Sequence, residues 1–229
     1  MKNFILFLLL LCLAMASYAE SVTANTVVTT WVRDICPMST YNTDSWTVSG
    51  SNIYYTSNYG QTIRSPFAAY GDFTFKASLW NADTDNDRYG LVFGYLDSSN
   101  HYRLSWDRGG AADAGYTGLQ LIQEVNGTNT VLYNNSTLWT ADVVYTMMVY
   151  RTGNTIGFTI TRVSDNIQLF NYSVVNTTFM NGYLGLWNYS QPTYYSNVQY
   201  TIVPEPGTII LALFGLMVAA CFRGHKKAA

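Results

Sequence analysis

The sequence predicts an all-β domain, and three observations carry the prediction. Apolar and polar residues alternate in short runs, turn residues recur between these runs about every ten positions, and no stretch repeats apolar residues at helical spacing. The alternation is plainest in "RYGLVFGYLDSSNHYRLSWDRG", where Tyr89, Leu91, Phe93 and Tyr95 interleave with Gly90, Val92, Gly94 and Leu96. Asp97-Ser98-Ser99-Asn100 then turns the chain into a second strand that ends at Asp107. Asn126-Gly127 lies between "GLQLIQEV" and "TNTVLYN" and predicts a tight hairpin, because both central residues of such a turn need positive φ. Gly153-Asn154 and Asp165-Asn166 separate "VVYTMMVYR", "TIGFTITRV" and "IQLFNYSVV" into successive antiparallel strands. In "TIGFTIT", Ile156, Phe158 and Ile160 share one face while Gly157, Thr159 and Thr161 share the other, the pattern of a sheet buried on one side only. Many such strands without helices predict a two-sheet sandwich or a barrel. The stretch from Asn25 to Thr30 reads as a short linker.

The two ends differ from this pattern. Lys2 supplies a positive n-region, Phe4 to Ala16 an apolar core, and Ser17-Tyr18-Ala19 a small-x-small cleavage site, so residues 1–19 read as a secretory signal whose removal leaves Glu20 first. An uncleaved membrane helix is the alternative, but the run falls short of the roughly 20 apolar residues that span a bilayer. Residues 207–222 are nearly all apolar and are followed by Arg223, His225, Lys226 and Lys227. By the positive-inside rule those charges stay cytoplasmic, which puts everything before Pro204 across the membrane. A helix of that length rises roughly 24 Å, short for a permanent anchor.

Residues 20–203 lie between the ends, enough for one domain that buries roughly 70% of its unfolded surface. Eight basic and thirteen acidic side chains give this segment a formal charge of −5. Such a balance offers nothing to a polyanion and excludes nucleic acid as a partner. Cys12, Cys36 and Cys221 fall one in each region, so the exported domain keeps Cys36 alone and folds without an internal disulfide. Cys36 reads as a small, partly buried residue.

The segments "DSWTVSGSNIYYTSNYGQTIRSPFAAYGDFTFKASLW", "DNDRYGLVFGYLDSSNHYRLSWDR" and "GYLGLWNYSQPTYYSNVQY" together resemble the concanavalin A-like lectin/glucanase superfamily, in particular its laminin-G-like and thrombospondin-C-terminal-like members. The resemblance covers residues 40–202, with residues 20–39 as a lead-in. It implies a two-sheet antiparallel jelly-roll sandwich with one concave face, where relatives often bind sugars or protein ligands.

The tail resembles the PEP-CTERM sorting signal, with Val203, Pro204, Glu205 and Pro206, an apolar segment and a basic end from Arg223, all in order over residues 203–229. The resemblance implies recognition by an exosortase after passage through the export machinery. It further implies transient residence in the inner membrane of a Gram-negative bacterium and delivery to the cell surface or exopolysaccharide matrix. Pro204 and Pro206 suit an extended, accessible segment just outside the membrane, since proline lacks an N–H and disfavours helix before it.

Three groups of residues are candidates for chemistry. In "NADTDND", Asp83, Asp85 and Asp87 recur at alternate positions. Spaced oxygens suit Ca²⁺, which takes six to eight oxygen ligands, and by resemblance these Asp side chains would supply three of them. The plainer reading is a solvated turn, since Asp and Asn are ordinary turn residues. Trp80, Tyr102, Trp106, Trp187 and Tyr194, with Trp139, offer flat faces to sugar rings, or else fill the core and pair across strands. Catalysis by the glucanase route needs two carboxylates about 5 Å apart, commonly from an E-x-D-x-x-E strand. Glu124 is the one Glu left once Glu20 is set aside, and "QEVNGT" lacks the pattern. The chain therefore reads as an exported, non-enzymatic surface or matrix protein that binds polysaccharide or a surface partner. A secreted glycoside hydrolase or lyase of the same fold, and a purely structural envelope protein, are the alternatives.

Overall fold

The computed structural model describes residues 18–35, 45–56, 60–82, 84, 86, 88–109, 115–190 and 192–203. In chain order the elements are β1 Tyr18–Val22, α1 Ala24–Thr30, β2 Val32–Ile35, β3 Trp46–Ser49, β4 Asn52–Tyr55, β5 Gln61–Tyr70, β6 Asp72–Asn81 and β7 Arg88–Asp97. They continue with β8 Asn100–Asp107, β9 Leu119–Val125, β10 Thr128–Asn135, β11 Tyr145–Thr152, β12 Thr155–Arg162, β13 Ile167–Val175, β14 Asn181–Tyr189 and β15 Thr193–Val203. The first sheet runs β13-β12-β11-β6-β15-β4-β3, with β1 added on β15, and the second runs β10-β9-β8-β7-β14-β5-β2. Two antiparallel sheets packed face to face make the expected β-sandwich.

The turns form for the reasons legible in the chain. Asn126 and Gly127 both take positive φ, +51° and +76°, as a tight hairpin between β9 and β10 requires. Asp97 closes the β7–β8 turn by accepting from the Ser99 backbone N–H at 2.8 Å and the Asn100 side-chain amide at 2.9 Å. Inward residues from both sheets meet in one core. Phe75, Leu79, Met147, Val149, Ile156, Phe158 and Ile160 come from the first sheet, and Ile63, Leu91, Phe93, Leu104, Leu121 and Leu186 from the second. The described core residues, from Val22 to Tyr200, pack against one another within residues 18–203.

Two local expectations change. Residues 25–30 lie within α1, not in a linker. The Thr23 hydroxyl caps the helix by accepting from the Thr26 N–H at 3.1 Å, and the Thr29 and Thr30 hydroxyls donate to carbonyls four residues back at 2.7 Å. Burial of Val27 outweighs the low helix propensity of five β-branched residues, and Trp31 at the helix end packs beside Phe75. The lead-in is thus part of the sandwich: β1 pairs with β15 from Tyr18↔Ile202 to Val22↔Val198, and β2 with β5. The Ala19–Glu20 bond, where the signal was expected to be cut, lies inside β1.

Tyr95 also leaves the face on which strict alternation puts it. Gly94 takes φ +55°, and β7 fits an extra residue between Val92 and Tyr95 relative to β14. Tyr95 therefore turns away from Leu91 and Phe93 and joins Val92, Trp187 and Tyr183 on the outer face. Signal residues 1–17 and the tail residues Pro204, Glu205, Pro206 and Arg223 lie outside the described residues, and Val203 is the exposed end of β15. Among the described residues no helix is long and apolar enough to cross a membrane.

Gly90 allows the close approach of β7 and β8, since a Cβ there would lie 1.8 Å from the Leu104 carbonyl oxygen. Gly90→Ala is expected to lower the stability of residues 18–203 by about 3 kcal/mol. Gly127→Ala, where a Cβ meets nothing within 4 Å, is expected to cost about 1 kcal/mol from its positive φ alone. Urea unfolding of the two variants gives the comparison directly.

Candidate functional site

The outer face of the second sheet follows from the parity of β8. Tyr102, Leu104 and Trp106 point into the core, so His101, Arg103, Ser105 and Asp107 point away from it. All four outward side chains are nevertheless buried. Asp107 is covered by the chain before β9, accepting from the Gly118 N–H at 2.9 Å, while His101 and Arg103 lie under a curved edge of the sheet. The Tyr95 hydroxyl on β7 donates to Asp34 Oδ2 on β2 at 2.7 Å. Between those strands lie β14 and β5, a separation of about 14 Å in a flat sheet. The bond thus requires the β2 edge to curl over the face.

Under the curl lies a half-enclosed pocket of about 80 Å³, lined by Asp34, Gly60, Gln61, Thr62, Tyr95, Ser98, His101, Arg103, Glu124 and Trp187. Its lining is polar and tightly ordered. Arg103 Nη1 donates to Glu124 Oε2 at 3.1 Å and lies 3.1 Å from His101 Nε2. The other ring nitrogen of His101, Nδ1, lies 3.3 Å from the Asp97 carbonyl oxygen, and Nε2 lies 3.7 Å from Glu124 Oε2. The Arg103 guanidinium also lies 4.8 Å over the Trp187 ring. The His101 ring packs 5.2 Å from that of Tyr95. Burial, together with the bond to Asp34, raises the Tyr95 phenol far above its ordinary range.

The aromatic residues singled out from sequence separate into three places. Trp187 lines the pocket, but one face is covered by Arg103. Tyr102 and Trp106 lie in the core with no face toward solvent. Tyr102 donates to Asn176 Oδ1 at 2.5 Å and Trp106 Nε1 to the Thr137 carbonyl at 2.8 Å, because buried polar handles need partners. Trp139 is likewise buried, against Tyr89. Trp80 and Tyr194 sit on adjacent strands of the first sheet, where Tyr194 stacks between Trp80 at 4.9 Å and Tyr54 at 4.4 Å. That ladder covers both faces of its middle ring, so it serves as cross-strand packing more than as a sugar platform.

Asp83, Asp85 and Asp87 lie outside the described residues. Among the described residues no three His, Cys, Asp or Glu side chains converge as for a metal. Sequence reasoning missed Asp34, Tyr95, His101 and Arg103 as site residues. The outward set of β8 was available from parity once Leu104 was taken as core. Asp34 fell outside the residues assigned to the sandwich.

No protein-family model matches the chain, and no curated protein matches it in sequence. Solved structures do match. A carbohydrate-binding module of a Lactobacillus casei phage J-1 evolved Dit protein, its CBM2 module, superposes with a TM-score of 0.59 at 11% identity, covering 82% of this chain and 97% of its own. The Bacillus subtilis carbohydrate-binding module CBM66 gives 0.55 at 19% identity, covering 69% of this chain and 91% of its own. Peanut lectin gives 0.53 at 10% identity, covering 82% and 99%. At these identities the likeness is one of fold: the chain has the jelly-roll architecture shared by carbohydrate-binding modules and legume lectins.

The pocket and core also set a response to base. Tyr89, Tyr95 and Tyr195 have phenols raised above their ordinary value of 10.0, first of all by burial. The folded state keeps these protons while the unfolded chain releases them near pH 10, so stability is intact below that pH and falls as pH rises through it. Urea unfolding followed from pH 8 to pH 11 is expected to show that loss, and Tyr95→Phe to shallow its slope by about one proton. An unchanged slope in Tyr95→Phe would mean that Tyr95 titrates normally.

Proposed function

We propose that this protein is a non-enzymatic carbohydrate-binding module, exported and held at the cell surface or in the extracellular matrix, with its sugar site in the pocket beneath β2. One observation carries the reading: an outward sheet face holds buried Arg103 bonded to half-buried Glu124 and His101, beside buried Tyr95 bonded to half-buried Asp34. Desolvating an ion pair costs several kcal/mol, and well-packed apolar residues would serve folding as well or better. A face that keeps such groups in fixed positions is suited to a polyhydroxyl ligand, whose hydroxyls both donate and accept. With Arg103 against Trp187, recognition proceeds through directional hydrogen bonds more than through open ring stacking.

Similar folds in carbohydrate-binding modules and a lectin support the sugar class. Support for export and sorting comes from the two terminal segments and the P-E-P tail. The non-catalytic part of the proposal is supported by the engagement of both pocket carboxylates, Glu124 by Arg103 and Asp34 by Tyr95. Neither is left as an unbonded acid facing the ligand.

Affinity electrophoresis of residues 18–203 against soluble neutral and uronic-acid polysaccharides tests the proposal. The wild type is expected to be retarded by a neutral polymer, Arg103→Ala to bind it at least tenfold more weakly, and Trp80→Ala to bind as the wild type does. Melting curves identify a variant that fails to fold. Retardation lost in Trp80→Ala and kept in Arg103→Ala would move the site to the aromatic ladder. Release of reducing ends would make the protein a hydrolase, and weakened binding in chelator would bring in calcium at Asp83, Asp85 and Asp87.

A further inference from the structure

The first and last described strands enter and leave the sandwich side by side. Tyr18 of β1 pairs with Ile202 of β15, and Val203 pairs with Asp72 at the start of β6. A set of turns gathers at the same end. Tyr70, before the β5–β6 turn, pairs with Asn181 at the start of β14, and the Gly153 N–H of the β11–β12 turn donates to Asp72 Oδ1 at 2.7 Å. The Asn176 N–H, in the connection from β13 to β14, donates to the Asn154 carbonyl at 2.8 Å, and the Gly127 N–H of the β9–β10 turn donates to the Ser99 carbonyl of the β7–β8 turn at 3.0 Å.

Little chain separates this end from the apolar tail. Pro204, Glu205 and Pro206 alone lie between Val203 and residues 207–222, at most about 14 Å of extended backbone. The headgroup layer on one side of a bilayer is about 5–8 Å deep. With residues 207–222 in a membrane, the end of β15 is held at the headgroups and the turns beside it are held there too. Their exposed side chains suit that place: Tyr70, Leu96, Val175, Met180 and Val203 are all exposed, Val175 at 72%. Residues 70–72, 96–100, 125–128, 152–155 and 175–181 contain no Lys or Arg. Their two acids are turned to backbone donors, Asp72 to Gly153 and Asp97 to Ser99. The opposite end also exposes Val163, Ile167 and Tyr189, but beside Arg88 and the Arg162–Asp165 ion pair, which hold water there.

We infer that these turns form a lipid-contact surface, on which the domain rests against a phospholipid bilayer for as long as its tail is retained. Leu96, Val175 and Met180 enter the headgroup layer, and Tyr70 lies at its edge, where an aromatic ring with a polar tip is at home. With no cation at this end, the contact depends on apolar burial and the short tether rather than on attraction to anionic lipid. The inference rests on the export and tail reading above and adds to it which end of the sandwich meets the membrane. The strands then stand up from the bilayer, so the pocket on the outer face of the second sheet opens sideways, clear of the lipid.

Amide hydrogen exchange of the full chain reconstituted into phosphatidylcholine vesicles tests the surface. Three forms are compared: the wild type, the triple variant Leu96→Asp, Val175→Asp, Met180→Asp, and the opposite-end variant Val163→Asp, Ile167→Asp. Every substituted side chain is exposed, so melting temperatures are expected to agree. Peptides over residues 96–100 and 175–181 are expected to exchange at least fivefold more slowly in the wild type and the opposite-end variant than in the triple variant, while a peptide over residues 163–166 exchanges equally in the wild type and the triple variant. Equal exchange at 96–100 and 175–181 in all three forms, or slowing lost in the opposite-end variant alone, overturns the inference. Flotation of the vesicles separates this failure from that of the tail reading. A chain that floats with them but shows no slowing overturns the lipid-contact surface alone, and a chain that stays behind overturns the tail reading and the surface with it.

Discussion

Side-chain parity across a strand is the constraint on which the rest of this structure depends. When Leu91, Leu104, Leu121 and Leu186 of the second sheet pack against Phe75, Val149 and Phe158 of the first, the residues between them have no choice but to face outward. The core thus determines the outer face. Arg103 and His101 stand together because Leu104 and Tyr102 are needed below, and Thr62 and Trp187 follow from Ile63 and Leu186 in the same way. Gly90 lets the β7 and β8 backbones approach where no side chain fits. A sandwich of this kind varies its outer face freely only as long as the inner one stays filled.

Departures from parity are where the site acquires its shape. The extra residue near Gly94 turns Tyr95 outward, and the hydroxyl so placed is the one that holds Asp34. A second shift, in β5, sets Tyr183↔Ala68 beside Gly185↔Arg64, with Ser65 bonding the Phe67 carbonyl at 2.6 Å and accepting from the Leu184 N–H at 3.2 Å. Pro66 falls within that irregular stretch, where a missing N–H leaves no gap in a regular ladder. Bulges bend and twist their strands, which accounts for a face curved enough to bring β2 over β7.

Much of the fold was legible because period-2 alternation and turn chemistry are local. Asn126-Gly127, Asp97 to Asn100, and the inward set of Ile156, Phe158 and Ile160 all follow from neighbours a few residues away. The site was less legible because it depends on contacts far apart in the chain. Asp34 and Tyr95 are separated by 61 residues, and nothing near either one announces the other. The aromatic residues misled for a related reason: tryptophan and tyrosine serve core and surface alike, so Tyr102 and Trp106 could be placed only by the parity of their strand. The helix at residues 24–30 was hidden because its stability comes from Val27 and Trp31 docking on the core, against the preference of its own β-branched residues.

The same reasoning separates the two aromatic regions by what they can do. Rings stacked at 4.4 and 4.9 Å in the ladder of Tyr54, Tyr194 and Trp80 cover both faces of Tyr194, and all three are half-buried. Trp187 has its ring under Arg103, whose other contacts are a carboxylate and an imidazole. That guanidinium is held on several sides and is already neutralised by Glu124. A ligand carboxylate entering here would compete with Glu124 and approach Asp34, while neutral hydroxyls can bond to all of them without separating the pair. If the pocket takes a sugar, as proposed, its charge balance favours a neutral one over an acidic one.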